Sequence, residues 1–122
     1  MDVRISMVQR AIFIDGERIF TTPLEFALFV TFYRRRSVLT RKKIERGELR
    51  KKLHAVFAKI GLTDHRYTLA DWTGKTAMTR FMQTVAKLNQ KLPLACQIRN
   101  LKKEDYGKAK YALNYRLTHD ER

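Results

Sequence analysis

Thr22-Pro23-Leu24-Glu25-Phe26-Ala27-Leu28-Phe29-Val30-Thr31-Phe32-Tyr33 is the stretch on which the reading of the chain turns. Thr22 can cap a helix, and Pro23 suits the first helical position, where no backbone N–H is needed. Glu25 lies three residues past Thr22, as a capping box requires. Phe26, Phe29, Val30 and Tyr33 then recur at helical spacing, which predicts a buried amphipathic helix over residues 23 to about 35. An aromatic stripe of this kind belongs to a core rather than to a ligand box.

Upstream, Ile5 to Phe20 suits strands, with Met7, Val8, Ala11, Ile12, Phe13 and Ile14 mostly β-favouring and apolar. Asp15-Gly16 is a hairpin turn pair, and Glu17 to Phe20 makes the return strand. Downstream, Ser37 to Thr40 reads as a turn, with Thr40 as the N-cap of a second helix. Its apolar positions are Ile44, Leu49, Leu53, Val56, Phe57 and Ile60; Gly47 bends or interrupts it and Gly61 stops it. Arg66 to Trp72 fits either a short strand or an irregular connection. A third helix opens at Thr73 to Lys75, runs to about Leu92 and stops at Pro93. Leu94 to Leu101 alternates like a strand, and Lys102 to Lys108 is a polar loop. Lys110 to Leu117 alternates again through Tyr111, Leu113, Tyr115 and Leu117, which predicts a C-terminal hairpin.

The 122 residues fit one domain, with a core over about residues 7–118. With 44% hydrophobic residues the chain can build a core, so wholesale disorder is not expected. Cys96 is the single cysteine, which excludes an intrachain disulfide and a multi-cysteine zinc site. The longest apolar run, Phe26 to Val30, is far short of the ~20 residues that span a bilayer. The N-terminus lacks the layout of a signal peptide. A cytoplasmic, nucleoid-associated protein is the expectation, with no membrane partner.

Lys and Arg total 26 against 12 Asp and Glu, a net charge of +14. Residues 1–33 carry three basic and four acidic residues, so the excess sits in residues 34–122. It comes in short runs (Arg34-Arg35-Arg36, Arg41-Lys42-Lys43, Arg50-Lys51-Lys52, Lys102-Lys103) separated by apolar residues. That is a charged face on a folded body, and self-repulsion of this size points to a polyanionic partner. Projected at about 100° per residue, the third helix puts Met78, Phe81, Val85, Leu88 and Leu92 on one face, with Met82 and Asn89 at its edge. Thr76, Thr79, Arg80, Gln83, Lys87 and Gln90 lie opposite, flanked by Lys75, Thr84 and Lys91. Residues 73–103 contain no acid at all. Arg and Lys donate to guanine, Gln pairs with adenine, and Thr bonds either way or touches the thymine methyl. Lys75 and the N–H groups at the helix start suit a phosphate.

At this point the sequence resembles the OmpR/PhoB-type DNA-binding domains of bacterial response regulators. The likeness is carried by Ile12-Phe13-Ile14-Asp15-Gly16-Glu17-Arg18-Ile19, Thr22-Pro23-Leu24-Glu25-Phe26-Ala27-Leu28 and Val38-Leu39-Thr40-Arg41. Val85, Leu88 and Leu92 carry it further, as does Asn114-Tyr115-Arg116-Leu117. The resemblance implies an α+β winged helix-turn-helix domain: an N-terminal β-hairpin, a three-helix core and a C-terminal hairpin wing. It implies a transcription regulator that binds double-stranded DNA, with a homodimer as a further partner. No receiver domain is present in the chain. Thr76, Thr79, Arg80, Gln83 and Lys87 are the expected base readers. Arg41, Lys75, Thr84, Lys91, Lys102, Lys103, Lys108 and Lys110 are expected on the backbone or in the wing.

No catalytic role is expected. His54, His65 and His119 lie far apart, Asp64-His65 with Asp71 reads as a polar loop, and Cys96 reads as a small buried thiol. There is no phosphate-binding glycine loop and no paired-carboxylate motif. Cofactors, metals and small-molecule substrates are therefore not expected. Two alternatives stay open. One is a protein-docking module that exposes its aromatic first helix. The other is an RNA-binding accessory domain that stacks bases on Tyr67, Trp72 and Tyr106.

Overall fold

The first strand element, β1 (Val3–Ser6), is followed by β2 (Ala11–Ile14) and β3 (Glu17–Ile19) in an antiparallel meander. These come from a computed structural model, which describes residues 2–34, 39–62, 69–100 and 110–113. The β2–β3 turn is Asp15-Gly16, as expected, with both residues at positive φ (51° and 82°). That conformation lets a two-residue turn follow the strand twist. The N-terminal unit is a three-stranded sheet rather than a hairpin. Ser6 Oγ accepts from the Gln9 N–H (3.1 Å), Arg10 turns to φ 52°, and Val8 is left exposed. This turn separates β1 from β2.

Helix α1 (Pro23–Arg34) begins with the anticipated capping box. Thr22 Oγ1 accepts from the Glu25 N–H (3.2 Å) and Glu25 Oε1 accepts from the Thr22 N–H (3.0 Å). The helix is not amphipathic: Phe26, Ala27, Leu28, Phe29, Val30, Thr31 and Phe32 are all buried. A helix covered on every side is the central rod of a fold. Thr31 satisfies its buried hydroxyl on the Ala27 carbonyl (2.8 Å). Phe29 stacks on Tyr33 one turn on.

The second predicted helix is two helices, α2 (Arg41–Glu45) and α3 (Glu48–Lys59). The helical core therefore has four members, not three. Gly47 makes the break. Its φ of 89° lies in the left-handed region, which a side chain there would strain. Thr40 caps α2 through Oγ1, which accepts from the Lys43 N–H. Leu62 N–H to the Phe57 carbonyl and Gly61 N–H to the Ala58 carbonyl close α3 as a Schellman motif. Helix α4 (Gly74–Asn89) is the third predicted helix, ending about one turn early.

The second sheet has the order β4-β6-β5, all antiparallel. Its strands are β4 (Leu39–Thr40), β5 (Ile98–Asn100) and β6 (Lys110–Leu113). A 3-10 turn at Leu94–Cys96 replaces the first half of the predicted strand. Leu39 pairs with Tyr111, so the segment read as a turn adds a strand to the C-terminal hairpin. The hairpin loop, residues 101–109, lies outside the described residues, as does residue 114 onward.

Buried residues from β2, all four helices and the second sheet form one core. Helix α4 packs on α1 and α2, while α3 packs on α1. Phe81 sits at the junction. Its ring lies 6.0 Å from Phe32 of α1 and meets Tyr111 of β6 edge-on at 4.9 Å. Phe81→Ala is expected to lower unfolding free energy by about 3–5 kcal/mol in urea titrations. Its exposed neighbour Met82 changed to Ala should shift it by about 0.5 kcal/mol or less.

Candidate nucleic-acid interface

Helix α4 is fixed from its inner side. Ala77, Phe81, Val85 and Leu88 are buried, and Leu92 follows them into the core. The sequence projection placed Phe81, Val85, Leu88 and Leu92 correctly; Ala77 joins them and Met78 is half-buried.

Three polar devices hold the far end of the helix. Glu25, 3% exposed, accepts from Lys91 Nζ at 2.6 Å as well as from the Thr22 N–H. The capping carboxylate of α1 therefore also ties down the end of α4. Asn89 clamps β5: its Nδ2 donates to the Ile98 carbonyl (3.1 Å) and its Oδ1 accepts from the Ile98 N–H (3.0 Å). Gln97 Nε2 donates to the carbonyls of Asn89 and Leu92 (3.0 and 3.1 Å), and the Leu92 N–H shares the Asn89 carbonyl (3.2 Å), so the turn that follows the helix is tied back to it. The helix and the hairpin's first strand thus form one rigid corner.

On the outer side Lys75, Thr76, Thr79, Arg80, Gln83, Lys87 and Gln90 are all exposed. Ala86, which the sequence projection did not include, is exposed here as well, so the middle of the face is neutral, with cations at its borders. Arg80 carries a partner that the helix sequence does not contain. Its Nε donates to Asp71 Oδ2 at 2.6 Å, in the turn before the helix. Thr84 is half-buried and its hydroxyl donates to the Arg80 carbonyl (2.8 Å), so that donor is occupied. Lys91 is bound to Glu25, and Arg41 Nε donates to Glu45 Oε1 at 2.9 Å. Lys42, Lys43, Arg46, Lys51 and Lys59 add exposed cations on α2, its C-cap and α3. Lys102, Lys103 and Lys108 lie outside the described residues, and Lys110 is placed on β6 by its backbone.

The sequence reading missed the three contacts that orient these side chains. Asn89 at the edge of the apolar face carried the one local hint. Asp71 and Glu25 carried none, because each meets its cation through the fold.

Two other expectations change. Trp72 is 3% exposed, packed in the core, so it offers no ring for base stacking; Tyr67 lies outside the described residues, as do Tyr106, Asp64 and His65. The aromatic helix α1 is covered, so a docking role through its exposed aromatics has no surface to use. Among the described residues no cluster of His, Cys, Asp or Glu could hold a metal, and no helix is long and apolar enough to cross a membrane. Cys96 is buried; burial pushes its thiol pKa up, with the Asp15 carboxylate adding to the effect.

No family model matches the chain, and comparisons with curated proteins and with solved structures give no match.

Lys91→Met leaves the Glu25 carboxylate buried with a backbone donor as its partner, and Asn89→Ala strips both pairing groups of Ile98. Each is expected to lower stability by about 1–3 kcal/mol in denaturant titrations. Cys96 should resist alkylation by iodoacetamide at mildly alkaline pH in the native protein and react on unfolding in urea, followed by mass spectrometry.

Proposed function

We propose that this protein is a winged-helix DNA-binding protein, a transcription regulator that lays α4 in the major groove of duplex DNA and uses the β5–β6 hairpin as its wing. The observation that carries the reading is the division of α4. One side is fixed in the core by Phe81, while Thr76, Thr79, Gln83 and Lys87 stand exposed on a helix with no carboxylate of its own.

The dimensions agree. An α-helix fits a B-form major groove about 12 Å wide. Lys75 and Lys87 are about 18 Å apart along the axis at 1.5 Å per residue, so they can reach phosphates on both walls while the residues between them face base edges. Gln83 and the threonines supply donors and acceptors in the middle of the face, and Ala86 leaves room for close approach. The exposed cations of α2 and α3 add to the positive field that draws a polyanion in. The order of elements supports a winged helix: an N-terminal sheet, a core of helices, and a hairpin whose inner strand also pairs with a short strand after the first helix.

Binding to duplex DNA should weaken with salt, log K falling by about 0.9 per decade for each phosphate neutralised. Lys75→Ala and Lys87→Ala should each reduce that slope by about 1. Gln83→Ala should instead change which sequences are selected from a randomised duplex pool. Affinity that stays flat between low and high salt refutes the reading. Displacement by single-stranded RNA in preference to duplex would move the protein to the RNA-binding class.

A further inference from the structure

We infer that Asp71 is a positioning residue for base recognition: it holds Arg80 by Nε and thereby presents both terminal amino groups of the guanidinium to a guanine. The inference rests on the DNA-binding reading of α4 and adds a base to it.

A guanidinium has five N–H groups in a planar fork, one on Nε and four on the terminal nitrogens. Guanine offers O6 and N7 as adjacent acceptors in the major groove, and arginine meets them in a bidentate contact. Two poses can do this, one through Nε and one terminal nitrogen, the other through both terminal nitrogens. Asp71 Oδ2 occupies Nε at 2.6 Å, so the end-on pose is the one left open. Both side chains are about half exposed (51% for Arg80, 46% for Asp71), so the pair stands at the surface of the helix.

An ordinary surface ion pair contributes little, because two long side chains must be ordered to form it. Here both backbones are already fixed. Asp71 precedes Trp72, which is buried and whose N–H donates to the Leu69 carbonyl at 2.9 Å. Arg80 precedes Phe81 in the core, and its carbonyl takes the Thr84 hydroxyl. The short Asp71 side chain therefore acts from a turn anchored by Trp72 onto a helix anchored by Phe81.

The charge argues the same way. Residues 73–103 contain no acid, so Asp71 stands just outside an acid-free stretch and against its exposed face. A carboxylate there weakens a purely electrostatic grip on phosphates. Holding a cation that recognition needs in one pose offsets that loss.

The test selects a preferred site from a randomised duplex pool with the full chain, then measures binding to that site with each base at every position. One guanine should be preferred over the other bases by roughly 5- to 150-fold. Arg80→Ala should abolish that preference at that position alone. Asp71→Ala should reduce it by roughly 2- to 12-fold, the ordering of one side chain, while binding to non-specific duplex is unchanged or tighter. Asp71→Asn keeps an acceptor for Nε and should retain more of the preference than Asp71→Ala. The double variant should lose no more than Arg80→Ala. Arg80→Lys, which lacks the fork, should not restore it. If Asp71→Ala keeps the full preference, or the position sensitive to Arg80→Ala is not a guanine, the positioning role is overturned while DNA binding stands. If the unmodified protein binds no duplex DNA, both fail together.

Discussion

The edge-on contact of Phe81 with Tyr111, backed by Phe32, is the constraint from which the rest of the arrangement follows. One ring touches the central helix on one side and the middle strand of the second sheet on another. Through it the helical layer and the C-terminal hairpin share a single interior. Close-packed interiors transmit small displacements, so the outer face of α4 is aimed by what happens around this ring. Phe81 is also in the middle of the helix, where tilt about it moves both ends. Glu25–Lys91 and the Asn89 clamp fix the C-terminal end against such tilting, and the buried Trp72 steadies the turn that leads in.

Four carboxylates among the described residues each hold one cation. Glu25 caps α1 and receives Lys91, Glu45 receives Arg41, Asp71 receives Arg80, and Asp2 receives Arg4. Among the described residues these pairs remove individual cations from competition and leave Lys75, Lys87 and the lysines of α2 and α3 to set the field. Positioned polar groups and unspecific charge are thus divided between different residues, a division that suits the proposed DNA-binding role.

Much of the fold was legible because its signals are local. The Thr22/Glu25 capping box, the Asp15-Gly16 turn, the Gly47 interruption and the apolar stripe of α4 each depend on residues within a turn or two of one another. What could not be read depends on partners far along the chain. Leu39–Thr40 is too short to announce itself as a strand, and its pairing is with β6. The all-round burial of α1 follows from what surrounds it, since its own sequence marks an aromatic stripe and nothing about its other faces. The candidate face was legible in its composition. Its wiring was not: Arg80 gave no sign of meeting Asp71, and Lys91 looked like another surface cation.

The Asn89 amide has a consequence for how copies of this chain can meet. Strand β5 is an edge strand, with β6 on one side. The unpaired edge of a sheet invites a foreign strand to extend it. By taking both the N–H and the carbonyl of Ile98, the side chain occupies the groups that such a strand needs first. An incoming strand therefore finds neither backbone group of Ile98 free, and pairing that begins at that residue is closed off.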